Sequence, residues 1–327
     1  MTYNNQIQKI KTQIQDLSAW LWGHKVLEQD IETWVKNFEN TSDNDDKNKL
    51  IALSLLSQFM FYDQREIKQA LKSLYKDKYI APLVKKYRKA TKSLILNDYN
   101  KFLDDSLKKT RFSSIGNPSE SSSIILYFFR QRNNIEKEFF IHSCELIVDE
   151  RYNNLEQLVY IDDISGSGSQ ATNENFCKII TEIRAKIPMI KISYFTLFAT
   201  TTALKTLKDS KLFDNVDTVF ELDDTYKAFS ETSRYFKNNS NCKEEFKKLC
   251  KTKYSKKFDL GKEDISRNKN GKLNTQECGF ADNQLALGFF YNIPNNSLPI
   301  FWANSDQWQS IFKRYSKKYM LLKKGNN

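Results

Sequence analysis

Two adjacent aspartates followed by a loop of small residues are the strongest chemical signal in the chain. Asp162 and Asp163 end an apolar run, and residues 165–170 read Ser-Gly-Ser-Gly-Ser-Gln before a helical pattern begins. Glycines let such a loop approach a ligand closely, and its N–H groups suit a phosphate. Carboxylates beside a phosphate are repulsive unless they hold sugar hydroxyls or a hard cation. The pattern therefore predicts a site for a phosphorylated sugar.

The residues of this segment divide into two predicted roles. Asp162 and Asp163 are the predicted catalytic residues, holding ribose hydroxyls directly or through Mg²⁺, which they would bind as metal ligands. The predicted ligands of the ribose 5′-phosphate are Ser165, Gly166, Ser167, Gly168, Ser169 and Gln170. The alternative is a plain strand, turn and helix with an aspartate pair at the surface.

A second phosphate loop is predicted near residue 120. The segment contains Ser119, Glu120, Ser121 and Ser122 and precedes an apolar helical pattern. The first N–H groups of a helix lack intrahelical acceptors, so this helix start suits a pyrophosphate or second phosphate. An ordinary cluster of N-cap residues is the alternative.

A late loop is the candidate contact for the base or acceptor. Asn292, Asn295 and Asn296 supply amides that can pair with a base edge, and Trp302 supplies a ring that can stack on it. Two prolines in the same segment restrict its backbone. A rigid turn with Trp302 in the core is the alternative.

Composition limits the classes of protein that the chain can belong to. It has 327 residues, of which 40% are hydrophobic, and carries a formal charge of +11. The sequence contains no apolar run long enough for a transmembrane helix and no apolar signal segment after its polar N-terminus, so we expect a cytoplasmic protein without a membrane partner. Five cysteines without a C-x-x-C pair argue against a zinc site or disulfide framework. The positive charge favours anionic partners, although lysine and asparagine are abundant throughout.

The order of apolar patterns predicts an α/β protein. Residues 1–105 are predicted to form an all-helical N-terminal domain, and residues 106–327 an α/β domain with a mostly parallel sheet flanked by helices. Within the second domain, residues 237–276 are predicted to be a Lys/Asn-rich, partly helical insertion. Predicted strands cover residues 139–148, 158–161, 190–198, 216–222 and 285–291.

The segment from Asp162 to Gln170 resembles the phosphoribosyl pyrophosphate loop of type I phosphoribosyltransferases. The aspartates and the loop align with the family pattern without a gap. Two departures stand out: Gly166 occupies the position where the family usually has an acidic general base, and Ser169 and Gln170 replace a glycine and a threonine.

Together with the loops at residues 118–122 and 292–302, this segment makes the chain similar to one particular group. It resembles the phosphoribosyltransferase-like effector family (PRTase-CE-like) of bacterial conflict, or anti-phage, systems, some members of which occur beside retron reverse transcriptases. The resemblance implies a type I phosphoribosyltransferase-like fold, a role in defence, and a partner that is a defence-system protein or nucleoprotein.

Three functions remain open from the sequence. The first is an effector that binds phosphoribosyl pyrophosphate or a nucleotide and acts at ribose C1, as a phosphoribosyltransferase or as an enzyme that cleaves the glycosidic or pyrophosphate bond of a nucleotide. The second, motivated by Gly166, is a non-catalytic nucleotide sensor. The third, motivated by the charge, is a nucleic-acid-binding subunit of a defence complex such as a retron. The oligomeric state is open, and a homo-oligomer is one option.

Overall fold

The chain folds as two units, the first of which is built from both ends of the sequence. The computed structural model describes residues 3–40, 44–92, 95–116, 121–237, 240–258 and 276–314. Unit 1 consists of Met1–Asp63 and Thr225–Asn327, and unit 2 consists of Gln64–Asp224. These limits do not coincide with the predicted boundary after residue 105, and the division into two domains there stays a prediction.

The α-helices alternate with short strands and turns. Their bounds are α1 Tyr3–Trp20, α2 Glu28–Val35, α3 Asp45–Leu56, α4 Gln64–Ser73, α5 Ala81–Thr91, α6 Leu96–Lys108, α7 Ser121–Asn133, α8 Glu145–Val148, α9 Glu174–Lys186, α10 Thr201–Asp209, α11 Ser240–Leu249 and α12 Pro299–Trp302. A π-helical segment, Leu74–Ile80, continues α4, and another, Cys250–Tyr254, continues α11.

The strands form parallel pairs only, within the part of the chain that the structure describes. Their bounds are β1 Met60–Tyr62, β2 Thr110–Ser113, β3 Gln157–Ser165, β4 Lys191–Thr200, β5 Asn215–Leu222 and β6 Leu287–Phe289. In unit 1, β1 pairs with β6. In unit 2, the strand order of the sheet is β2-β3-β4-β5, which places β3 and β4 in the interior.

The sheet of unit 2 is covered by helices on both faces. One face packs against α9 through an apolar cluster that includes Leu158, Tyr160, Phe176, Ile180, Ile192 and Tyr194. On the other face, α7 packs on β3, and the ring of Phe112 lies 5.4 Å from that of Tyr79 and 5.2 Å from that of Phe129. A sheet buried on both faces explains why β3 begins as a continuous apolar run.

Unit 1 has its own aromatic core. Trp34 and Trp308 are fully buried, and both indole N–H groups donate to the carbonyl of Ile300, at 2.8 Å and 3.3 Å. Phe38 packs edge-on against both indoles. Residues from the two ends of the chain thus share one core, which makes the unit discontinuous in sequence.

The predicted fold class is confirmed: the protein is α/β, with a parallel sheet, flanking helices and a helical N-terminal region. The short strand β1 is an addition within that region. Strands β4 and β5 lie where they were predicted, and the 237–276 segment is helical in α11, while residues 259–275 lie outside the described part. Among the described residues, no helix has the length and apolar character needed to cross a membrane.

The predicted strand at residues 139–148 is wrong. A 3₁₀ turn, Lys137–Phe139, and helix α8 occupy this segment, and only Phe140 bridges to the sheet, opposite Phe112. The Glu145 carboxylate accepts the N–H of His142 at 2.8 Å, which favours a turn between the two apolar runs. Strand β2 was not predicted, because its four residues are followed by a polar loop and are too few to show a hydrophobic pattern.

Candidate functional site

Asp162 and Asp163 lie in β3 near its carboxyl end, and the small-residue loop follows this interior strand of the unit 2 sheet. In the parallel register, Ser165 lies opposite Ala199 of β4. The loop after β3 and the N-terminus of α10 after β4 therefore lie side by side. Open α/β sheets bind their ligands at this edge.

Asp162 is buried, and both of its carboxylate oxygens accept hydrogen bonds. The phenol of Tyr194 donates to Oδ2 at 2.8 Å, and the N–H of Asp163 donates to Oδ1 at 2.9 Å. The residue is 4% exposed. Tyr194 thus fixes the orientation of the first carboxylate from the neighbouring strand.

Burial disfavours the charged forms of Asp162 and Tyr194. It raises the pKa of Asp162 well above its ordinary value of 3.8, and the charge of Asp163 raises it further, whereas the hydrogen bond from Tyr194 opposes the shift. Burial also raises the pKa of Tyr194, and the Asp162 charge adds to this effect. Burial thus disfavours the ionised forms of both side chains.

The Asp163 side chain lies close enough to that of Asp162 for the two carboxyl groups to interact directly. Asp163 is 5% exposed, and its Oδ1 accepts the N–H of Ile164 at 2.8 Å. The two carboxyl groups therefore form one acidic cluster near the end of β3.

A single threonine joins the loop to α10. The Thr200 hydroxyl donates to the carbonyl of Gly166 at 2.6 Å and accepts the N–H of Ala203 at 3.0 Å as the N-cap of α10. Gly168 has φ +77°, and a Cβ there would lie 3.3 Å from the side chain of Thr206. The loop is thus held against α10 and needs glycine at residue 168.

Two backbone N–H groups of the loop have no hydrogen-bond acceptor within the part of the chain that the structure describes. The Ser167 hydroxyl lies 2.8 Å from that of Ser169 and accepts the Ser169 N–H at 3.3 Å. No described residue accepts a hydrogen bond from the backbone N–H of Ser167 or Gly168. Adjacent N–H groups without acceptors form the kind of concave donor surface that binds phosphate.

The loop does not run directly into the following helix. A 3₁₀ turn, Gln170–Thr172, comes first, and α9 begins at Glu174. The Asn173 side chain caps α9 by accepting the N–H of Phe176 at 2.9 Å. Any phosphate at the loop would therefore meet the loop N–H groups beside the start of α10, because α9 begins only at Glu174, after the 3₁₀ turn.

Half of the predicted second phosphate loop can be placed. Ser119 and Glu120 lie outside the described residues. Ser121 begins α7, and Ser122 is buried with its hydroxyl donating to the carbonyl of Ile115 at 2.8 Å. The bond gives Ser122 a structural role in fixing the helix start, and its contact with a phosphate stays a prediction.

The late asparagine loop belongs to unit 1, and its backbone holds it together. The carbonyl of Asn295 accepts the N–H of Phe280 at 2.7 Å, and that of Asn296 accepts the N–H of Leu285 at 3.2 Å. Asn292 closes a tight turn with Phe289 through paired backbone bonds of 3.1 Å and 2.9 Å. Base recognition by these amides stays a prediction.

Trp302 is packed inside unit 1. It is 5% exposed, its indole N–H donates to the carbonyl of Ser297 at 2.8 Å, and the guanidinium of Arg314 lies over its ring at 5.0 Å. One face of the ring is therefore already covered by a cation. Stacking of Trp302 on a base stays a prediction, and its packing role is what the contacts establish.

The donor set for Mg²⁺ is incomplete without a ligand. Among the described residues, no group of three or more His, Cys, Asp or Glu side chains could hold a metal ion. Mg²⁺ commonly uses one or two carboxylates together with waters and substrate phosphates. Asp162 and Asp163 fit that arrangement only when a phosphorylated ligand completes it.

Neither Tyr194 nor Thr200 was among the site residues predicted from the sequence. Both lie on β4, and their importance depends on its register against β3. The run of three threonines after β4 was a weak signal for Thr200 as a helix cap. Nothing in the spacing links Tyr194 to Asp162, 32 residues earlier.

The fold and the loop define a phosphoribosyltransferase-like α/β protein. The PRTase-CE family model matches residues 31–314, so the chain belongs to the PRTase-CE family, and the resemblance found in the sequence is confirmed. The match spans most of both units. No curated protein and no solved structure matches the chain.

The raised pKa of Asp162 predicts a pH-dependent loss of stability. The folded state binds the Asp162 proton more tightly than the unfolded state, so this contribution is complete below pH 3.8 and is lost as the pH rises through the folded-state pKa. The free energy of unfolding of the wild type, relative to Asp162→Asn, should therefore fall as the pH rises from about 4 to 8.

Denaturant unfolding followed by circular dichroism at several pH values measures this difference. All five tryptophans lie in unit 1, so hydrogen exchange of unit 2 peptides is the better local probe. Asp209→Asn, at an exposed position on α10, is the matched control and should show no such trend. A constant difference between wild type and Asp162→Asn across this range would contradict the raised pKa.

Proposed function

We propose that the loop at residues 165–170 binds the 5′-phosphate of a ribose 5-phosphate compound, either phosphoribosyl pyrophosphate or a nucleotide. The observation that supports this best is the pair of N–H groups at Ser167 and Gly168, which have no acceptor among the described residues. They lie beside the N-terminus of α10, whose positive dipole end also favours an anion.

The aspartates would hold the ribose. Asp162 and Asp163 lie near the end of β3, next to the loop, and their neighbouring carboxyl groups suit the 2′- and 3′-hydroxyls of a sugar whose phosphate occupies the loop. Tyr194 keeps Asp162 in one orientation. The hydroxyl groups of a bound ribose would donate the hydrogen bonds that water cannot donate to these buried carboxylates.

The reaction proposed is cleavage or transfer at ribose C1. Such a displacement passes through a positively charged, oxocarbenium-like centre, which nearby carboxylates stabilise. A transferase would pass the phosphoribosyl group to an acceptor, and a nucleotide-cleaving enzyme would pass it to water. Mg²⁺ held by Asp162, Asp163 and the ligand's own phosphates would neutralise negative charge in either case.

A non-catalytic nucleotide sensor is the second candidate. Gly166 lies where phosphoribosyltransferases usually have an acidic base, it is buried, and its carbonyl is occupied by the Thr200 hydroxyl. No side chain at this position can accept a proton. The same pocket would then bind the ligand without turnover and signal its presence to a partner in a defence complex.

Substitution of Gly168 tests the phosphate site. Gly168→Ala should lower the affinity for ribose 5-phosphate about tenfold, because a side chain at φ +77° shifts the loop away from its N–H geometry. Isothermal titration measures the change. Gly23→Ala is a matched control, since Gly23 also has positive φ, at +59°, but lies in unit 1 with open space around it. Equal affinities for wild type and Gly168→Ala would count against the loop.

A turnover assay separates the enzyme from the sensor. Wild type incubated with phosphoribosyl pyrophosphate or a nucleoside monophosphate and Mg²⁺ should release pyrophosphate or free base, measured by chromatography. Asp163→Asn should slow this release about 100-fold, as loss of an electrostatic catalytic group does. Saturated wild-type protein that yields no product would refute catalysis at C1 and favour the sensor.

The defence role is proposed from the resemblance to anti-phage effectors. Phage should plate less efficiently on bacteria that express the protein, together with any partner genes beside it, than on bacteria without it. Gly168→Ala should weaken that protection because it weakens ligand binding. Gly23→Ala should protect as the wild type does. Unchanged protection by a Gly168→Ala protein that no longer binds ribose 5-phosphate would show that the pocket is not used in defence.

A further inference from the structure

Two neighbouring cavities of unit 1 are lined by basic and hydroxyl side chains. Their volumes are about 390 Å³ and 510 Å³, within the range of small-molecule sites. Thr232, Ser233 and Lys237 line both, so the two cavities adjoin at these residues. None of these residues takes part in the proposed ribose-phosphate site, which lies in unit 2.

Lys243 supplies a buried positive charge to the first cavity. The residue is 8% exposed and its ammonium donates to the carbonyl of Ser230 at 2.9 Å. The nearest carboxylate in the described residues is that of Glu244, 3.9 Å away, and its side chain is 63% exposed. A buried ammonium is costly unless its charge and its three donors are satisfied. An anion in the cavity would accept hydrogen bonds from the ammonium N–H groups that do not bond to Ser230.

The position of Lys243 on α11 strengthens this argument. Helix α11 begins at Ser240, which also lines the first cavity, and has no acidic residue in its first turn. A cation near a helix N-terminus opposes the positive end of the helix dipole, and the first N–H groups there lack intrahelical acceptors. A bound anion would stabilise the lysine, the dipole and these N–H groups together.

The second cavity presents another fixed cation. The guanidinium of Arg234 donates to the hydroxyl of Thr225 at 3.0 Å and lies 3.5 Å from the centroid of the Tyr226 ring. Lys237 is exposed between the two cavities. Glu231 is the one carboxylate among the described lining residues, so cationic side chains prevail in the wall.

We propose that these cavities form a second anion site, which binds a small phosphorylated molecule in unit 1. One phosphate lies against the α11 N-terminus and Lys243, and Lys237 reaches a second phosphate toward Arg234. This site is additional to the ribose-phosphate pocket, and a ligand here would give unit 1 a response of its own to phosphorylated metabolites.

Hydrogen exchange with pyrophosphate as the probe tests the site locally. Pyrophosphate should slow the exchange of peptides covering residues 225–249 in wild-type protein. Lys237 is exposed, so Lys237→Gln should not disturb folding. It should lower the apparent affinity for pyrophosphate, measured from this protection, about tenfold, as loss of a charged hydrogen bond does. Lys243→Gln should abolish it. Lys248→Gln, at an exposed position near the end of the same helix, is the matched control.

The outcomes distinguish this site from the other proposals. Protection at residues 165–170 reports the ribose-phosphate pocket and does not bear on this site. Absence of protection at residues 225–249, or an equal loss in Lys248→Gln, would overturn the proposal. Protection by a single-stranded oligonucleotide but not by pyrophosphate would overturn it as well, since the site would then be part of a nucleic-acid surface.

Discussion

The register of β3 against β4 is the constraint on which the candidate site depends. It sets Ser165 opposite Ala199, and the next residue of β4, Thr200, then meets the carbonyl of Gly166. The same hydroxyl caps α10. A shift of the register by one residue would turn Tyr194 to the opposite face of the sheet, break its bond to Asp162 and free the loop from the helix.

Burial of the acidic pair follows from this arrangement and shapes its chemistry. Asp162 lies in a region that disfavours its charged form, and the phenol of Tyr194 donates a hydrogen bond to it. Such a carboxyl gains from a ligand that brings hydroxyl groups or a cation. An aspartate pair at the surface would be hydrated by water and would need neither ligand hydroxyls nor a cation. The cost of burial is therefore the physical reason to regard the pair as functional.

The sequence predicted the parts of the site that are local in the chain. Asp162 to Gln170 form one continuous segment, so their types and spacing were enough to propose them as a candidate site, and their role in binding stays a prediction. The apolar runs at β4 and β5 were also readable, because strands buried on both faces are continuous in hydrophobicity. These are properties that one segment displays by itself.

Features that depend on distant residues were out of reach. The bond from Tyr194 to Asp162 requires the strand register, and the core that Trp34 shares with Ile300 joins the two ends of the chain. Residues 139–148 were predicted as a strand because of their apolar content. The hydrogen bond from the His142 N–H to the Glu145 carboxylate instead favours a turn before helix α8. The basic cavity of unit 1 has no sequence signal, since its lysines are two among many.

The central claim is that the small-residue loop binds a sugar phosphate through its own backbone. Amide chemical shifts of Ser167 and Gly168, followed by NMR during titration with ribose 5-phosphate and Mg²⁺, test it most directly. The account predicts that these two amide signals move downfield and saturate together, as N–H groups do when they donate to phosphate oxygens. If they stay unchanged at saturating ligand while other amides respond, the loop is not the phosphate site and the account is wrong.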